Sequence, residues 1–565
     1  MNPFKFKLIS IFIILILGSM AYSDSFHCSF HFDDRTSIIN NFVIRNIDHL
    51  WGIWIFLPRR FITYFSFALN YHFNALDVFG YHLVNLVIHL ITALLVWWLA
   101  LLTFSQEAKL MALLAGLVFV AHPLQTQAVT YIVQRTASLA TLFYVASLCF
   151  YIKFRLLNSS AKVGTGIFAK QKIYYIGSLI TAIMAMFTKE LALTLPLMVL
   201  LYEFCFFNGK KTFRWKYWAP FLFILLIIPL TLLLTETGAR RFQELTSEPG
   251  MSSFQYLCTE FRVLVTYIRL VFLPLNQNLD YDYPLSHGLF EMPTLVSLFF
   301  LITILYAAKH LFLRYRLLSF SILWFFLTLL PESSIFPIKD VIFEHRLYLP
   351  LVGYSLFLVS GLYYLLGKKS IKTMCIVLGF IIISYAFLTY QRNKVWSDDF
   401  TLWGDVVLKS PHKARGYSQL GTAFSAQGNL TQAMSEYNKA IDLDPNDVQS
   451  HNDRGNIYAE QGNDDKALID FSKAIELSPN FAEPYYNRGI ILSNKGDYSK
   501  AIADYDKAID INPNYADAYN NRAVSYFELK QYDKALENVH NARELGYAVN
   551  PGFINALAQA SGQDL

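Results

Sequence analysis

From residue 411 onward the chain repeats itself at a fixed interval, and no other feature restricts its fold so tightly. Pro411, Pro445, Pro479 and Pro513 lie 34 residues apart, as do Gly421, Gly455 and Gly489, with Ala523 completing the row. Ala433, Ala467, Ala501 and Ala535 keep the same register, as do Ala440, Ala474, Ala508 and Ala542, with Tyr437, Phe471 and Tyr505 between the alanine rows. In such a pattern small residues let paired helices approach, aromatics fill the gaps between repeats, and prolines mark each repeat's end. The period predicts four helix pairs from about Ala414 to Val549, preceded by a degenerate helix around Trp396 to Lys409 and closed by a capping helix over Phe553 to Gln559.

This is the tetratricopeptide pattern, an α-solenoid whose concave groove suits an extended or helical partner. On the first helix of each repeat two rows are candidates for that groove: Gln419, Asp453, Asn487 and Asn521, then Arg454, Arg488 and Arg522. A side-chain amide can bond both the donor and the acceptor of a peptide backbone, so such a groove could hold polypeptide irrespective of sequence; the alternative is that these groups only solvate the helices. From Trp396 onward there are 15 Lys and Arg against 24 Asp and Glu, about −9, while the preceding part carries about +14. The repeat region would therefore repel phosphate backbones, and the net charge of +5 is no sign of a nucleic-acid partner.

Everything up to about Tyr390 is built differently. The chain is 54% hydrophobic with only 16% charged residues, and that excess is concentrated in long apolar runs, the mark of a membrane protein. Lys5 and Lys7 precede the run Leu8 to Met20, either a signal anchor or a signal peptide ending near Ser19-Met20-Ala21. Ten further stretches follow near Tyr81–Phe104, Leu110–Val120, Ala137–Ile152, Ile173–Phe187, Leu191–Phe207, Pro220–Leu234, Met292–Ala308, Leu317–Leu330, Leu347–Leu366 and Thr373–Tyr390, giving about eleven spans. Alternating them from an inside N-terminus puts Lys109, Lys153 to Lys172, Lys210 to Lys216, Lys309 to Arg316 and Lys368 to Lys372 all on the cytoplasmic side, as the positive-inside rule asks. Phe254 to Pro274, interrupted by Glu260, Arg262 and Arg269, is expected to be an interfacial or re-entrant helix. The expected architecture is all-α: residues 1–395 a polytopic membrane domain, residues 396–565 an exported repeat domain.

The outer face then collects the Asp33-Asp34 loop, Arg59-Arg60, His122 through Arg135, Lys189-Glu190, the long loop Thr235 to Pro293, and Pro331 to Arg346. Ionisable groups in a membrane protein gather where chemistry or transport happens. Each also has a plainer role: Asp33 and Asp34 as a solvated loop or helix cap, Lys189 and Glu190 as a pair at a span end, Arg135 and Arg346 as headgroup anchors. The five cysteines form no CxxC and lie in apolar surroundings apart from Cys28, which suits core residues better than metal ligands.

Between His31 and Pro350 the residues resemble a family. Phe32-Asp33-Asp34-Arg35, Phe67-Ala68-Leu69-Asn70-Tyr71, Gly80-Tyr81-His82-Leu83-Val84-Asn85-Leu86 with His89, Ala121-His122-Pro123 with Thr126, Ala128-Val129, Tyr131-Ile132 and Arg135, Thr188-Lys189-Glu190, and Glu344-His345-Arg346-Leu347-Tyr348-Leu349-Pro350 carry the likeness. Together they resemble the TMTC proteins, the transmembrane and tetratricopeptide-repeat-containing O-mannosyltransferases, and their bacterial relatives. The resemblance implies a GT-C architecture, a many-span glycosyltransferase whose first outer loop supplies a catalytic carboxylate and whose donor is a polyprenyl-phosphate sugar.

Transfer to a hydroxyl needs a base as the oxygen attacks the anomeric carbon, a role for Asp33 or Asp34. The leaving lipid phosphate needs cationic or metal stabilisation, for which Arg346, Arg135 and Lys189 are the candidates. Glu190 could orient one of them, Glu344 and His345 flank Arg346 in its motif, and His122 and His82 could bond sugar or phosphate unless they are structural. No ligand spacing indicates a metal, although two carboxylates and a histidine would suffice for one. The expectation is transfer of a mannose-like sugar to a hydroxyl of an exported protein held by the repeats. The alternatives are a membrane-anchored scaffold without catalysis and a polymerase or ligase of lipid-linked glycans. The membrane would be a bacterial inner membrane with periplasmic repeats, or an endoplasmic reticulum with lumenal ones.

Overall fold

A computed structural model describes residues 3–104, 109–159, 165–207, 215–233 and 251–562, among which every regular element is a helix. The chain divides into two compact units, Met1–Leu402 and Trp403–Leu565. Part of the expected long outer loop, residues 235–250, and Lys210 and Lys211 of the expected cytoplasmic loop lie outside the described residues.

All eleven apolar stretches fall on helices. Among the described residues seven helices are long and apolar enough to cross a membrane: Phe4–Ala21, Val78–Thr103, Ile132–Asn158, Glu190–Phe207, Met292–Phe312, Pro350–Gly367 and Ile371–Val395. An eighth span is formed if Lys109–Ala121 and Pro123–Val129, bent by 51°, count as one. The expected eleven therefore meet seven or eight of full length. Trp215–Thr231 and Arg316–Leu329 are apolar but short, and Thr165–Met186 carries Lys170, Gln171 and Lys172 near its start. Lys109–Ala121 is the central helix, buried from Met111 to Ala121, because a helix apolar on every side must be enclosed on every side. Gly116 permits that enclosure, since a Cβ there would come within about 3 Å of Ile14 and Trp97.

Outside this core a smaller one, built of Ile38, Ile44, Ile53, Leu57, Tyr64, Phe67, Tyr81 and Ile132, underlies the first outer loop. The stretch expected to be interfacial or re-entrant forms one continuous helix, Ser253–Phe272, opened by a Ser252–Gln255 capping box. Its buried face presents Tyr256, Glu260, Val263 and Tyr267.

The second unit is a solenoid of four helix pairs: Ala414–Ala426 with Leu430–Leu443, Val448–Glu460 with Asp464–Leu477, Ala482–Asn494 with Tyr498–Ile511, and Ala516–Glu528 with Tyr532–Glu544. The helix Pro551–Ser561 packs on the last pair and buries Leu557. The glycine row is explained by contact: a Cβ on Gly421, Gly455 or Gly489 would sit 2.7 Å from the ring of Tyr437, Phe471 or Tyr505. In the fourth repeat both members change together, Ala523 facing a register position held by the smaller Val539.

Candidate functional site

The two adjacent acids of the first outer loop have different environments. Phe32, at φ 40°, turns the backbone sharply just before Asp33 and Asp34. The Asp34 side chain is fully buried, and its two oxygens accept the backbone N–H groups of His31 (3.0 Å) and Val133 (2.7 Å). Burial pushes the Asp34 carboxyl up to about 7 against the pull of those donors. Asp33 is exposed, and its backbone N–H donates to the Tyr131 hydroxyl at 2.9 Å. Asp34 thus braces the loop, while Asp33 is exposed to solvent.

Residues 122–135 form a buried strap that touches most elements of the outer face. The His122 ring bonds the Val271 carbonyl (2.9 Å) and caps Leu124 N–H, the Gln277 amide donates to the Pro123 carbonyl, and the Gln127 side chain accepts from the His345 backbone. Its last residue, Arg135, requires a correction. Expected as a ligand for the donor phosphate, it is wholly buried: Nε donates to Asn85 Oδ1 (2.6 Å), Nη1 to Asn70 Oδ1 (2.6 Å) and Ser66, and Nη2 to the Tyr81 carbonyl (3.0 Å), with Phe67 stacked on the guanidinium. Four of its five N–H groups are thus met by oxygen acceptors inside the protein, so the guanidinium works first as an internal strut. Several residues that carried the family resemblance therefore serve one internal strut. The rings of His82 and His122 are buried and each bonds a backbone carbonyl, His82 Nε2 to Cys28 O at 2.9 Å and His122 Nε2 to Val271 O.

A charged cluster forms where three expected loops meet. Lys189 and Glu190 do not pair with each other: Lys189 binds Glu332 (2.8 Å), and Glu190 faces Arg59 (3.1 Å) and Arg60 (3.8 Å). Arg346 donates to the carbonyls of Val341 (2.8 Å) and Asp340 (2.7 Å). Burial works against its charge, but Tyr267, Glu332, Tyr256 and Glu260 outweigh it and hold the guanidinium above its ordinary range. Burial likewise acts to raise Glu332, which Lys189 and Arg346 keep below the usual carboxylate range, whereas burial carries Glu260 up to about 7. Four cations, Arg59, Arg60, Lys189 and Arg346, thus stand beside the carboxyls of Glu190, Glu260 and Glu332. Glu344 lies beside it as a brace, accepting Asn278 N–H (2.7 Å) and the Gln277 amide (2.9 Å), and His345 stacks on Phe343. Among the described residues no group of three His, Cys, Asp or Glu side chains is placed to hold a metal ion.

Sequence reasoning missed Tyr131 as a loop partner, Glu332 as the Lys189 partner, and Asp399 and Trp396. The first two sat within segments already assigned to the outer face. Asp399, whose carboxylate pairs with Arg35 across more than three hundred residues, carried no sequence signal.

In the solenoid the arginine row also needs correction. Arg454 grips Asp470 with two hydrogen bonds of 2.8 Å, Arg488 grips Asp504 the same way, and Arg522 takes Asn538 and Asp506. Arg454 and Arg488 clamp the two helices of their own repeat, while Arg522 joins its own repeat to Asp506 of the preceding one, so all three are engaged in holding the solenoid together. Asn487 and Asn521 instead reach the preceding repeat, donating to Asn452 Oδ1 and the Tyr486 hydroxyl at 3.1 Å, and both stay partly exposed.

The fold thus defines a class: an all-helical membrane unit followed by a tetratricopeptide solenoid. Models described as "Tetratricopeptide repeat" match residues 482–515 and 504–537, and one described as "TPR repeat" matches 421–462 and 455–496. Over about three quarters of its length the chain is similar to proteins named protein O-mannosyl-transferase. It is 25% identical to a protein O-mannosyl-transferase of Caenorhabditis elegans over 77% of this chain and 63% of that protein. It is 24% identical to protein O-mannosyl-transferase Tmtc3 of Drosophila melanogaster (78% and 56%) and 23% to human TMTC3 (77% and 52%). The chain therefore spans between half and two thirds of the length of these relatives.

Proposed function

We propose that this protein is a membrane glycosyltransferase that moves a mannose-like sugar from a polyprenyl-phosphate donor to a hydroxyl of an exported protein presented by the repeats. The observation that carries this reading is the separation of the acidic pair into a buried brace and an exposed carboxylate, in a chain similar across both units to proteins named O-mannosyl-transferases. Asp33 takes the proton of the acceptor hydroxyl as its oxygen bonds to the anomeric carbon. The bond from that carbon to the phosphate oxygen breaks, and the lipid phosphate leaves with the electron pair. Arg346 and Lys189, held by Glu332 and the carbonyls of residues 340 and 341, stabilise the charge that grows on it. Glu190 fixes Arg59 and Arg60 at the rim. The Asn487 and Asn521 row, with amide groups still partly exposed, is the part of the groove suited to a polypeptide backbone. The membrane is a bacterial inner membrane with periplasmic repeats, or the endoplasmic reticulum with lumenal ones if the source is eukaryotic.

The test is single-turnover transfer from a synthetic polyprenyl-phosphate mannose to a Ser/Thr-rich peptide. Asp33→Asn is expected to lower the rate by about 10²- to 10⁴-fold with donor binding intact. Undiminished transfer by that variant would replace this reading with that of an anchored scaffold.

A further inference from the structure

The first outer loop is fastened to the end of the last span by contacts between residues far apart in sequence. Ser29 N–H donates to the Ser397 carbonyl at 3.1 Å, and the Cys28 thiol to the Asn393 carbonyl at 3.7 Å. Asn393 itself is buried, receiving the Thr130 hydroxyl and donating to the Ala21 carbonyl. The fully buried His31 ring stands between Asp399 Oδ1 (2.7 Å, through Nδ1) and the Trp396 carbonyl (2.8 Å, through Nε2). Arg35 closes on the other Asp399 oxygen at 2.7 Å. The Trp396 indole lies edge-on to His31 and stacks on Tyr131, whose hydroxyl holds the Asp33 backbone. His31 and Arg35 thus flank the acidic pair, and both are tied to one carboxylate, where the chain leaves its last span.

We infer that Asp399 and Trp396, acting through His31, Arg35 and Tyr131, are positioning residues for the acidic loop, making the end of the last span part of the active centre. The inference rests on the glycosyltransferase reading given above. Between Cys28 and Asn41 the one helical stretch, residues 33–39, is about two turns long, too short to hold a carboxylate in place by its own hydrogen bonds. Fixing must come from outside, and the contacts to residues 393–399 together with the 130–133 strap supply it. A displacement of about 1 Å at a reacting group is enough to cost about 10²-fold in rate.

The experiment uses the full chain in detergent or nanodiscs and compares the parent with Asp399→Ala, the conservative Asp399→Asn, Trp396→Phe and Asp33→Asn. Hydrogen exchange over residues 28–41 reads the position of the loop, and single-turnover transfer from polyprenyl-phosphate mannose reads its consequence. Asp399→Ala is expected to speed exchange in 28–41 by about 10-fold or more, with the helices of the first unit unchanged. It should lower transfer by about 10- to 100-fold at unaltered donor affinity, and Asp399→Asn should recover part of both. If exchange in 28–41 and transfer are unaltered in all three junction variants while Asp33→Asn is inactive, the positioning role is wrong and the glycosyltransferase reading stands. A loss of donor affinity and thermal stability in step with transfer would also overturn it, assigning the junction a purely structural part. Full activity of Asp33→Asn would instead remove the reading beneath.

Discussion

Arg135 in the first unit and Arg454 in the second do the same physical work at very different reach. Each is a guanidinium clamped between helices by oxygen acceptors. Arg454 finds Asp470 sixteen residues along, within its own repeat, and the same spacing joins Arg488 to Asp504. Arg135 gathers Asn85, Asn70 and Ser66 from fifty to sixty-nine residues away, across two other helices. A local strut can be copied with its repeat, and losing one leaves its neighbours standing. A strut between distant helices has no copy.

The sharpest way to break that comparison is to remove both. Arg135→Ala would leave the buried side-chain oxygens of Asn70 and Asn85 without their donor, each worth about 1–3 kcal/mol, a large part of the stability of an ordinary domain. The expected outcome is loss of the monodisperse, folded membrane unit, read by size-exclusion chromatography and thermal melting in detergent. Arg454→Ala, measured by urea unfolding, should cost only about 1.5–3 kcal/mol. If Arg135→Ala instead gave a stable protein that had lost only donor binding, the strut would be a ligand after all.

What the sequence made legible follows the same division. The solenoid could be read because each contact that builds it recurs every 34 residues, down to the glycine facing an aromatic ring. Helix positions in the membrane unit were equally plain, since an apolar run of spanning length has few alternatives. What could not be read were partners at long separation. Asp33 and Asp34 are chemically alike in the sequence, and only the Val133 amide, ninety-nine residues on, distinguishes the brace from the exposed acid. Arg135, Arg454 and Arg488 look like ligands in a list of charges, and only their acceptors show otherwise. The span count exceeded the helices of full length because hydropathy marks a short apolar helix as strongly as a long one.

Asp34 offers a second contrast, because its burial makes the loop sensitive to pH in a way its exposed neighbour is not. Its folded value of about 7 lies above the ordinary carboxylate value near 4, so the folded state holds the proton more tightly than the unfolded chain. The contribution of Asp34 to stability is thus fully present below pH 4 and is lost as pH rises to 7 and above. The full change is on the order of 4 kcal/mol if the loop unfolds with the unit. Melting of the parent and of Asp34→Asn between pH 4 and 8 should show this slope in the parent and its loss in the variant. Equal slopes would mean that the buried carboxyl titrates like an exposed one.

Within the solenoid the comparison narrows to the fourth repeat against the other three. Gly489→Ala should overpack the ring of Tyr505 and cost about 1–3 kcal/mol in urea unfolding of a soluble fragment carrying the repeats. The chain already contains the compensated pair, Ala523 with Val539, so adding Tyr505→Val to Gly489→Ala should cost less than the sum of the two single changes. Strict additivity would show that the glycine and the aromatic are not coupled through their contact.

The same repeat departs from its neighbours at one backbone position, and the smallest expected effect lies there. The turns between paired helices place Gly428, Gly462 and Gly496 at φ of 76°, 73° and 83°, and the equivalent residue of the fourth repeat is Lys530, at φ 59°. A side chain in that left-handed region crowds its own carbonyl at a cost of about 1–2 kcal/mol, which glycine escapes, although glycine also loses more chain entropy on folding. The balance favours Lys530→Gly by about 0.5–1 kcal/mol, and the gain should appear as an upward shift of the urea midpoint at constant m-value. Gly496→Lys should produce a loss of the same order, because it imposes on the third repeat the strain that the fourth carries. If Lys530→Gly left the midpoint unmoved while Gly496→Lys lowered it, the fourth turn would have to relax its backbone by some route the other three lack, and the repeats would differ in more than their side chains.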